Sequence, residues 1–344
     1  MDSRDPGGSP AQIPLFAELP AARRSAGAFA ERLEREHAEA AAIAARIPRH
    51  VRFGTSSWSF PGWEGLVFSR KASAASLARD GLLEYARHPL LTTVGIDRGF
   101  YAPIPREDLS RYAQQLPPGF PCCAKAPESV TGAALSGPRG GARRANPDFL
   151  NPARFEEEML APFRDAFSGH AGPFLLQFPP APPEGRDEPC EFARRLDRFL
   201  GELPRAFSYA IELRDPALLT EEYARVLGRH GVAHVYNAAS DMPMPAAQAE
   251  RVPVAQAPFT VIRLLLRPGT RYQDRREEFV PFDRIVDPNP EMRRQTVALI
   301  RAAGERPVYV LVNNKAEGCA PATIRALAEE LAGGDGPRAR LTPS

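Results

Sequence analysis

The sequence predicts an α/β protein, a TIM-type (β/α)8 barrel with an N-terminal helical extension. Short apolar runs alternate with amphipathic segments along most of the chain, and eight such runs can be counted. Nearly continuous apolar strands between helices are typical of a parallel sheet whose outer face the helices cover. Eight such units fit a closed barrel. The alternative is an open, doubly wound sheet, but no predicted strand is followed by a Gly-x-Gly-x-x-Gly turn.

The chain before the first strand is predicted to hold a tail and a helix. Residues Met1 to Ser25 are charged and interrupted by proline and glycine, which is typical of a flexible tail. Residues Ala26 to Arg46 carry a weak apolar stripe at helical spacing. We therefore expect a tail and an extension helix over 1–50, the barrel over 51–332 and a C-terminal tail over 333–344.

The predicted barrel elements alternate in order. The strands are Val51–Gly54, Thr93–Asp97, Pro121–Lys125, Phe174–Gln177, Tyr209–Glu212, Ala233–Tyr236, Thr260–Leu264 and Val308–Val312. The helices are Leu82–Arg87, Arg106–Gln115, Ala153–Phe167, Glu191–Leu203, Thr220–Arg229, Pro290–Ala303 and Pro321–Leu331. The segment between the sixth and seventh strands is short and rich in proline, so we expect only a reduced helix there.

Composition and charge limit the classes of function. The net charge is only +2, from 44 basic and 42 acidic residues, which disfavours a broad surface for nucleic acid. No apolar run is long enough to cross a bilayer, and no signal peptide is evident, so a cytoplasmic location is expected. The four cysteines (Cys122, Cys123, Cys190 and Cys319) show no Cys-x-x-Cys spacing, and we expect reduced thiols rather than a zinc site.

Polar residues cluster where the predicted strands end, which is where barrel enzymes place their chemistry. Two interpretations stay open: a network of charges that neutralise one another, and a pocket for an anionic ligand. The candidate substrate-binding residues are Ser57, Trp58, Arg98, Tyr101, Gln177, Arg214, Arg263, Asn313, Asn314 and Lys315. Other polar residues at these ends are Asn237, Ser240, Asp241 and Glu317.

Three residues are the candidates for catalysis. Lysine occurs only at Lys71, Lys125 and Lys315, so a lysine marks a place where a small, titratable ammonium is needed. Lys125 ends an apolar strand, where burial lowers a lysine pKa and allows a role as base, Schiff-base nucleophile or anion ligand. The alternative is a simple ion pair with Glu212. Glu212 and Asp97 each have an arginine close in sequence, which suits an ionised base or an orienting group.

Other motifs predict neither a metal nor a cofactor. None of the six histidines falls clearly at the C-terminal end of a strand, and no phosphate-binding loop or Gly-x-Ser-x-Gly turn is present. The stretch Gly137–Arg144 is basic and rich in glycine. We interpret it as a mobile loop, with a lid that closes over an anion as the alternative.

Several motifs together resemble the YecE-like family, also known as domain of unknown function seventy-two. They are Phe53-Gly54-Thr55-Ser56-Ser57-Trp58-Ser59-Phe60-Pro61-Gly62-Trp63, Phe100-Tyr101, Lys125-Ala126-Pro127, Gln177-Phe178-Pro179, Glu212-Leu213-Arg214, Asn313-Asn314, Glu317-Gly318 and Ala320-Pro321. The similarity covers Val51 to Leu331. The family is a TIM-type barrel without an established activity, so the resemblance implies the fold and no reaction.

The chain departs from the family pattern at three strand ends. Gly95-Ile96-Asp97-Arg98-Gly99 stands where a Glu and Asn-Ser-Thr are usual, Asp215-Pro216-Ala217-Leu218 replaces His-Pro-Ser-Trp, and Arg263-Leu264-Leu265-Leu266 replaces Arg-Leu-His-Gly. These departures indicate a distinct branch of the family, which implies a ligand of its own.

Three hypotheses of function remain. The first is an enzyme that acts on a small anionic molecule, bearing phosphate or carboxylate, by cofactor-free acid/base chemistry at the C-terminal face of the barrel. The second is a barrel that binds or senses such a ligand without turnover. The third is a nucleic-acid-processing protein that uses the basic 137–144 loop and the extension helix. The oligomeric state is left open.

Overall fold

The computed structural model describes residues 19–135, 144–180, 188–239, 241–270 and 277–333, with side chains from residue 29 onward. Several predicted features lie outside the described residues. They are the tail up to residue 18 and all but the first residue of the C-terminal tail, together with most of the Gly137–Arg144 loop and Ser240.

Eight parallel strands form one nearly closed barrel. They are β1 (Val51–Thr55), β2 (Val94–Ile96), β3 (Cys122–Lys125), β4 (Ala171–Phe178), β5 (Tyr209–Leu213), β6 (Ala233–Ala238), β7 (Thr260–Leu264) and β8 (Val308–Val312). Each predicted strand is present, with small shifts at the ends. The hydrogen-bonded order is β1-β8-β7-β6-β5-β4-β3-β2. A separate two-stranded hairpin pairs Ala134–Leu135 with Arg144–Ala145.

The contact between β1 and β2 closes the ring and needs a glycine. The backbone N–H groups of Thr92 and Thr93 donate to the carbonyl oxygen of Phe53 at 2.9 and 3.2 Å. A Cβ atom added at Gly54 would lie 2.1 Å from the carbonyl oxygen of Thr93. Only a residue without a side chain permits this close approach of two backbones.

Helices cover the outside of the barrel. They are α1 (Leu19–Ala44), α2 (Ala74–Asp80), α3 (Leu82–Tyr85), α4 (Arg106–Gln115), α5 (Glu128–Thr131), α6 (Pro152–Phe155), α7 (Ala161–Ala166), α8 (Pro189–Glu202), α9 (Glu221–His230), α10 (Pro245–Arg251), α11 (Pro290–Ala302) and α12 (Ala320–Ala332). The short α10 lies between β6 and β7, where a reduced helix was expected. Within the described residues, no helix has the length and apolar character needed to cross a membrane.

Three helical predictions differ from the structure. The extension helix α1 begins at Leu19, so the end of the segment predicted as a tail is helical. The single helix predicted over Ala153–Phe167 is divided into α6 and α7 by a π-helical turn at Glu156–Leu160. Pro162 follows this turn, and because proline lacks an N–H it cannot continue the regular helical ladder. Neither α2 nor the short α5 was predicted.

The alternation of side chains along each strand separates two hydrophobic layers. The larger layer lies between the strands and the helices. The smaller one fills the barrel interior with Cys123, Leu175, Ala210, Ala233, Val235, Phe259, Val261 and Leu311. On six strands, the inward-facing residue that follows this inner apolar layer toward the C-terminal end of the strand is polar. These six positions are Lys125, Gln177, Glu212, Asn237, Arg263 and Asn313.

The extension helix is joined to the last helix by an arginine. Arg325 of α12 donates to Glu36 and Glu39 of α1 at 2.9 and 2.5 Å.

All four cysteines are free; Cys122, Cys123 and Cys319 are buried, and Cys190 is exposed at the start of α8. The thiols therefore form no covalent crosslink in the barrel.

The seam between β1 and β2 gives a prediction about stability. Gly54→Ala should lower the free energy of unfolding by about 1–3 kcal/mol, because the new methyl group overlaps the Thr93 carbonyl. The matched control is Gly169→Ala, where an added Cβ would meet nothing within 4 Å. Urea denaturation followed by circular dichroism measures both. Equal stability of the two variants would contradict the role assigned to Gly54.

Candidate functional site

Arg263 lies at the centre of the polar layer and joins distant strands. Its side chain is only 1% exposed. Nη1 donates to Glu212 Oε2 at 2.5 Å, and Nη2 donates to Asp97 Oδ2 at 2.5 Å. Asp97 follows β2 and Glu212 lies in β5, so the guanidinium on β7 connects three strands of which no two are neighbours in the barrel. Burial favours the neutral form, but the two carboxylates raise the pKa of Arg263 above its ordinary value.

Glu212 is held from two sides by arginines. Arg214 binds Oε1 through Nε at 2.7 Å and Nη2 at 2.6 Å, while Arg263 binds Oε2. The same Nη2 donates to Gln177 Oε1 at 3.0 Å. Burial alone would raise the pKa of Glu212, but Arg214, Arg263 and Lys125 outweigh it and lower the pKa to about 2. Glu212 is therefore ionised at neutral pH, with both oxygens engaged.

Lys125 lies beside this network without joining it. It is 7% exposed, and within the described residues its amine forms no hydrogen bond and no ion pair shorter than 4 Å. The Nζ atom lies 3.6 Å from the centroid of the Phe100 ring. Burial and the charge of Arg263 lower the pKa of Lys125 to about 8, although Asp97 and Glu212 oppose the shift. The simple Lys125–Glu212 ion pair considered from the sequence is absent.

Four buried polar atoms around this layer have no hydrogen-bond partner among the described residues. They are Ser56 Oγ, Asp97 Oδ1, Asn237 Oδ1 and Arg263 Nε. Buried polar groups in proteins are almost always paired, and an unpaired one costs free energy. These four atoms leave hydrogen-bonding capacity that a polar ligand or water can satisfy.

The remaining candidates divide into residues near the Arg263 network and residues far from it. Asn313 Oδ1 accepts from the backbone N–H of Lys315, which fixes the short helical turn that contains Asn314 and Lys315. Asn314 Oδ1 accepts from the backbone N–H of Ala320 at 2.7 Å and so begins α12. Glu317 is buried and accepts from the backbone N–H of Asn289, which makes it a loop anchor.

The far group points away from the barrel interior. Arg98 donates to Tyr112 Oη at 2.6 Å and pairs with Asp108 at 3.0 Å, both on α4. Trp58 Nε1 donates to the carbonyl of Leu77, and Tyr101 is 83% exposed with its ring edge on Phe100. Ser57 Oγ lies 3.4 Å from Ser59 Oγ. The structure does not bring these four side chains to Lys125.

Sequence reasoning missed the parts played by Ser56 and Phe100. Ser56 follows Arg52 and Gly54 at the inward spacing of β1, so the alternation along the strand was the available signal. Phe100 is in a short helical turn, Asp97–Phe100, that brings its ring over Lys125. No group of three or more possible metal ligands (His, Cys, Asp or Glu) occurs among the described residues.

The Arg263 network gives a prediction about stability. Arg263→Met should lower the free energy of unfolding by about 3–5 kcal/mol, because the buried Glu212 carboxylate loses one of its two arginine partners. Arg294→Met is the matched control, since Arg294 pairs with Glu291 at the surface and its loss should cost less than about 1 kcal/mol. Chemical denaturation of both variants is the measurement. A loss at Arg263 no larger than that at Arg294 would show that the network does not hold the fold.

Solved structures similar to this chain share its fold. A protein of the DUF72 family from Enterococcus faecalis V583 is 17% identical, with a TM-score of 0.55 over 86% of this chain and 98% of that one. A DUF72 family protein from Thermotoga maritima MSB8 is 18% identical, with a TM-score of 0.53 over 82% of this chain and 98% of that one. Among curated proteins, no match to the chain is found. At these identities the similarity extends to the fold alone.

The family match covers almost all of the barrel. The family model described as protein of unknown function DUF72 matches residues 52–343. This range begins in β1 and extends past α12, so it contains every residue of the polar layer. DUF72 and the YecE-like family are the same family. The chain, a TIM-like barrel with an N-terminal helix, therefore belongs to the DUF72 family.

Proposed function

We propose that this protein is an enzyme that binds a small phosphate- or carboxylate-bearing substrate at the C-terminal face of the barrel and acts by acid/base chemistry without a cofactor. The observation that carries the proposal is Lys125, a buried amine without an ion pair among the described residues, beside two carboxylates that are engaged by arginine. Perturbed titratable groups in a polar layer at strand ends are typical of active sites.

The charge balance of the layer favours an anion. Lys125, Arg214 and Arg263 are three cations, whereas Asp97 and Glu212 are two carboxylates, so one positive charge is left at neutral pH. Arg263 is fully enclosed by its two partners. Arg214 keeps 24% of its side chain exposed, and among the described residues Lys125 has no ion pair to give up. The anion therefore binds Lys125 and the exposed part of Arg214.

The two carboxylates take different roles. Glu212 accepts from both arginines with both oxygens, so it acts as a positioning residue. Asp97 is 27% exposed and uses only Oδ2 for Arg263, which leaves Oδ1 without a partner among the described residues. Oδ1 of Asp97 is the oxygen that accepts or donates a proton at the substrate. Gln177 and Asn313 complete the inward layer around it.

A ligand-binding barrel without turnover is the second candidate. It is favoured by the saturation of Glu212, which leaves a single carboxylate for proton transfer. Both candidates require the same anion site, and turnover of a bound ligand separates them. A nucleic-acid-processing role has less support, because the net charge is only +2.

Anion binding is testable by thermal shift against phosphorylated and carboxylated metabolites. A ligand at about a hundred times its dissociation constant should stabilise the wild type by about 2.7 kcal/mol. Lys125→Met should abolish the shift because it removes the unpaired cation. Lys71→Met is the control, since Lys71 is 74% exposed and lies 3.9 Å from Glu64. Shifts that are equal in both variants would exclude Lys125 from the site.

The affinity for the anion should depend on pH. Because the pKa of Lys125 in the free protein is about 8, the ammonium is present below pH 8 and is lost as the pH rises above it. Binding should therefore be strongest below pH 8 and weaken steadily toward pH 10. Isothermal titration calorimetry across this range measures the profile. An affinity that stays constant from pH 7 to pH 10 would contradict the assignment.

A further inference from the structure

The amine of Lys125 has surroundings unlike those of the arginines beside it. Arg214 and Arg263 each direct two N–H groups at a carboxylate or amide oxygen. Lys125 instead lies on the face of Phe100, with 3.6 Å between Nζ and the ring centroid. An arginine is always charged and cannot act as a nucleophile, whereas a lysine amine can lose its proton. The chain has 44 basic residues and only three lysines, so a lysine at this position indicates chemistry that arginine cannot perform.

Resting on the anion site proposed above, we propose that the Lys125 amine forms an imine with the carbonyl carbon of a small anionic carbonyl compound. The anionic group, a carboxylate or a phosphate, binds Arg214 and directs the carbonyl carbon to Nζ. This assignment names both the covalent residue and the substrate class of the site. It stands on the burial of Lys125, on its lack of an ion pair among the described residues, and on the unpartnered polar atoms around it.

The chemical step balances with the groups at hand. The neutral amine adds to the carbonyl carbon, a C–N bond forms, and the carbonyl π electrons move to oxygen. Asp97 Oδ1 frees the amine by taking one proton from the Lys125 ammonium, and it relays a second proton from nitrogen to oxygen to give the carbinolamine. It then returns the first proton to the hydroxyl group, which leaves as water when the C–O bond breaks and the C=N bond forms. The products are a protonated imine and one water molecule, formed from an ammonium ion and a carbonyl without an oxidant or reductant.

Asp97 is well placed for that proton transfer. Of the two carboxylates in the layer, Asp97 exerts the larger electrostatic effect on Lys125. Arg263 fixes one of its oxygens at 2.5 Å and leaves the other without a partner among the described residues. The Asp97–Phe100 turn carries both the carboxylate and the ring that contacts the amine. One short segment therefore positions the proton carrier and the nucleophile relative to each other.

Borohydride trapping tests the proposal on the full chain. The protein is incubated at pH 8 with pyruvate, with dihydroxyacetone phosphate or with acetone, then reduced with sodium borohydride and mapped by mass spectrometry. We expect a reduced adduct on Lys125 with pyruvate or dihydroxyacetone phosphate, which also identifies the anionic group. Acetone lacks that group and should give at least about tenfold less adduct, the effect of one lost charge-assisted hydrogen bond.

Two lysine variants and the pH dependence of trapping test the role of Lys125 further. Lys125→Arg keeps the charge but cannot form an imine, so the adduct should vanish while thermal stabilisation by phosphate or carboxylate persists. Lys71→Arg should trap as wild type does. In the wild type, the initial trapping rate should rise as the pH increases from 6 to 8. This measurement does not depend on the folding of any variant.

Two outcomes would overturn the imine. One is the absence of a Lys125 adduct with either anionic compound, and the other is equal labelling of Lys71 and Lys125. If anions still stabilise the wild type and Lys125→Arg in that case, the anion site stands and only the covalent role fails. If no anion stabilises the wild type, the proposed function itself fails.

Discussion

The barrel depends, at the C-terminal ends of its strands, on the ion pairs of the buried Arg263 guanidinium. A charged group with 1% exposure is tolerated in a protein interior only when opposite charges pair with it. Glu212 supplies one of those charges from β5, and Asp97 supplies the other from the turn that follows β2. Because Glu212 is itself buried, it needs Arg214 as a second partner, which in turn binds Gln177. Asp97, Arg263, Glu212, Arg214 and Gln177 thus form one connected series of ion pairs and hydrogen bonds.

The sequence predicted the strands and the inward polar layer well. Lys125, Glu212 and Arg263 were grouped as polar residues at strand ends, and the alternation of side chains along each strand directs all three inward. Alternation does not apply beyond a strand end. Arg98 and Trp58 follow β2 and β1 in turns, and their side chains reach α4 and Leu77 rather than the barrel interior. Spacing along the sequence carries no information on that choice.

Pairing between the charged residues was also beyond the sequence. Lys125 and Glu212 carry opposite charges at the ends of β3 and β5, and an ion pair between them was a reasonable alternative. Two arginines with forked N–H donors satisfy the Glu212 carboxylate more completely than one ammonium does. Their competition leaves the amine of Lys125 to the ring of Phe100. Which cation takes a carboxylate depends on three-dimensional geometry that composition does not encode.

The tie between α1 and α12 has a consequence for how the chain folds. Strand β1 pairs with β8 along its whole length, and Arg325 binds Glu36, which lies 289 positions earlier in the sequence. Contacts between residues that are far apart in sequence slow the search for the native state. During synthesis, the first strand and the extension helix leave the ribosome long before β8 and α12 exist. The ring therefore cannot close until β8 has been synthesised, and the edge of β1 must be protected until then.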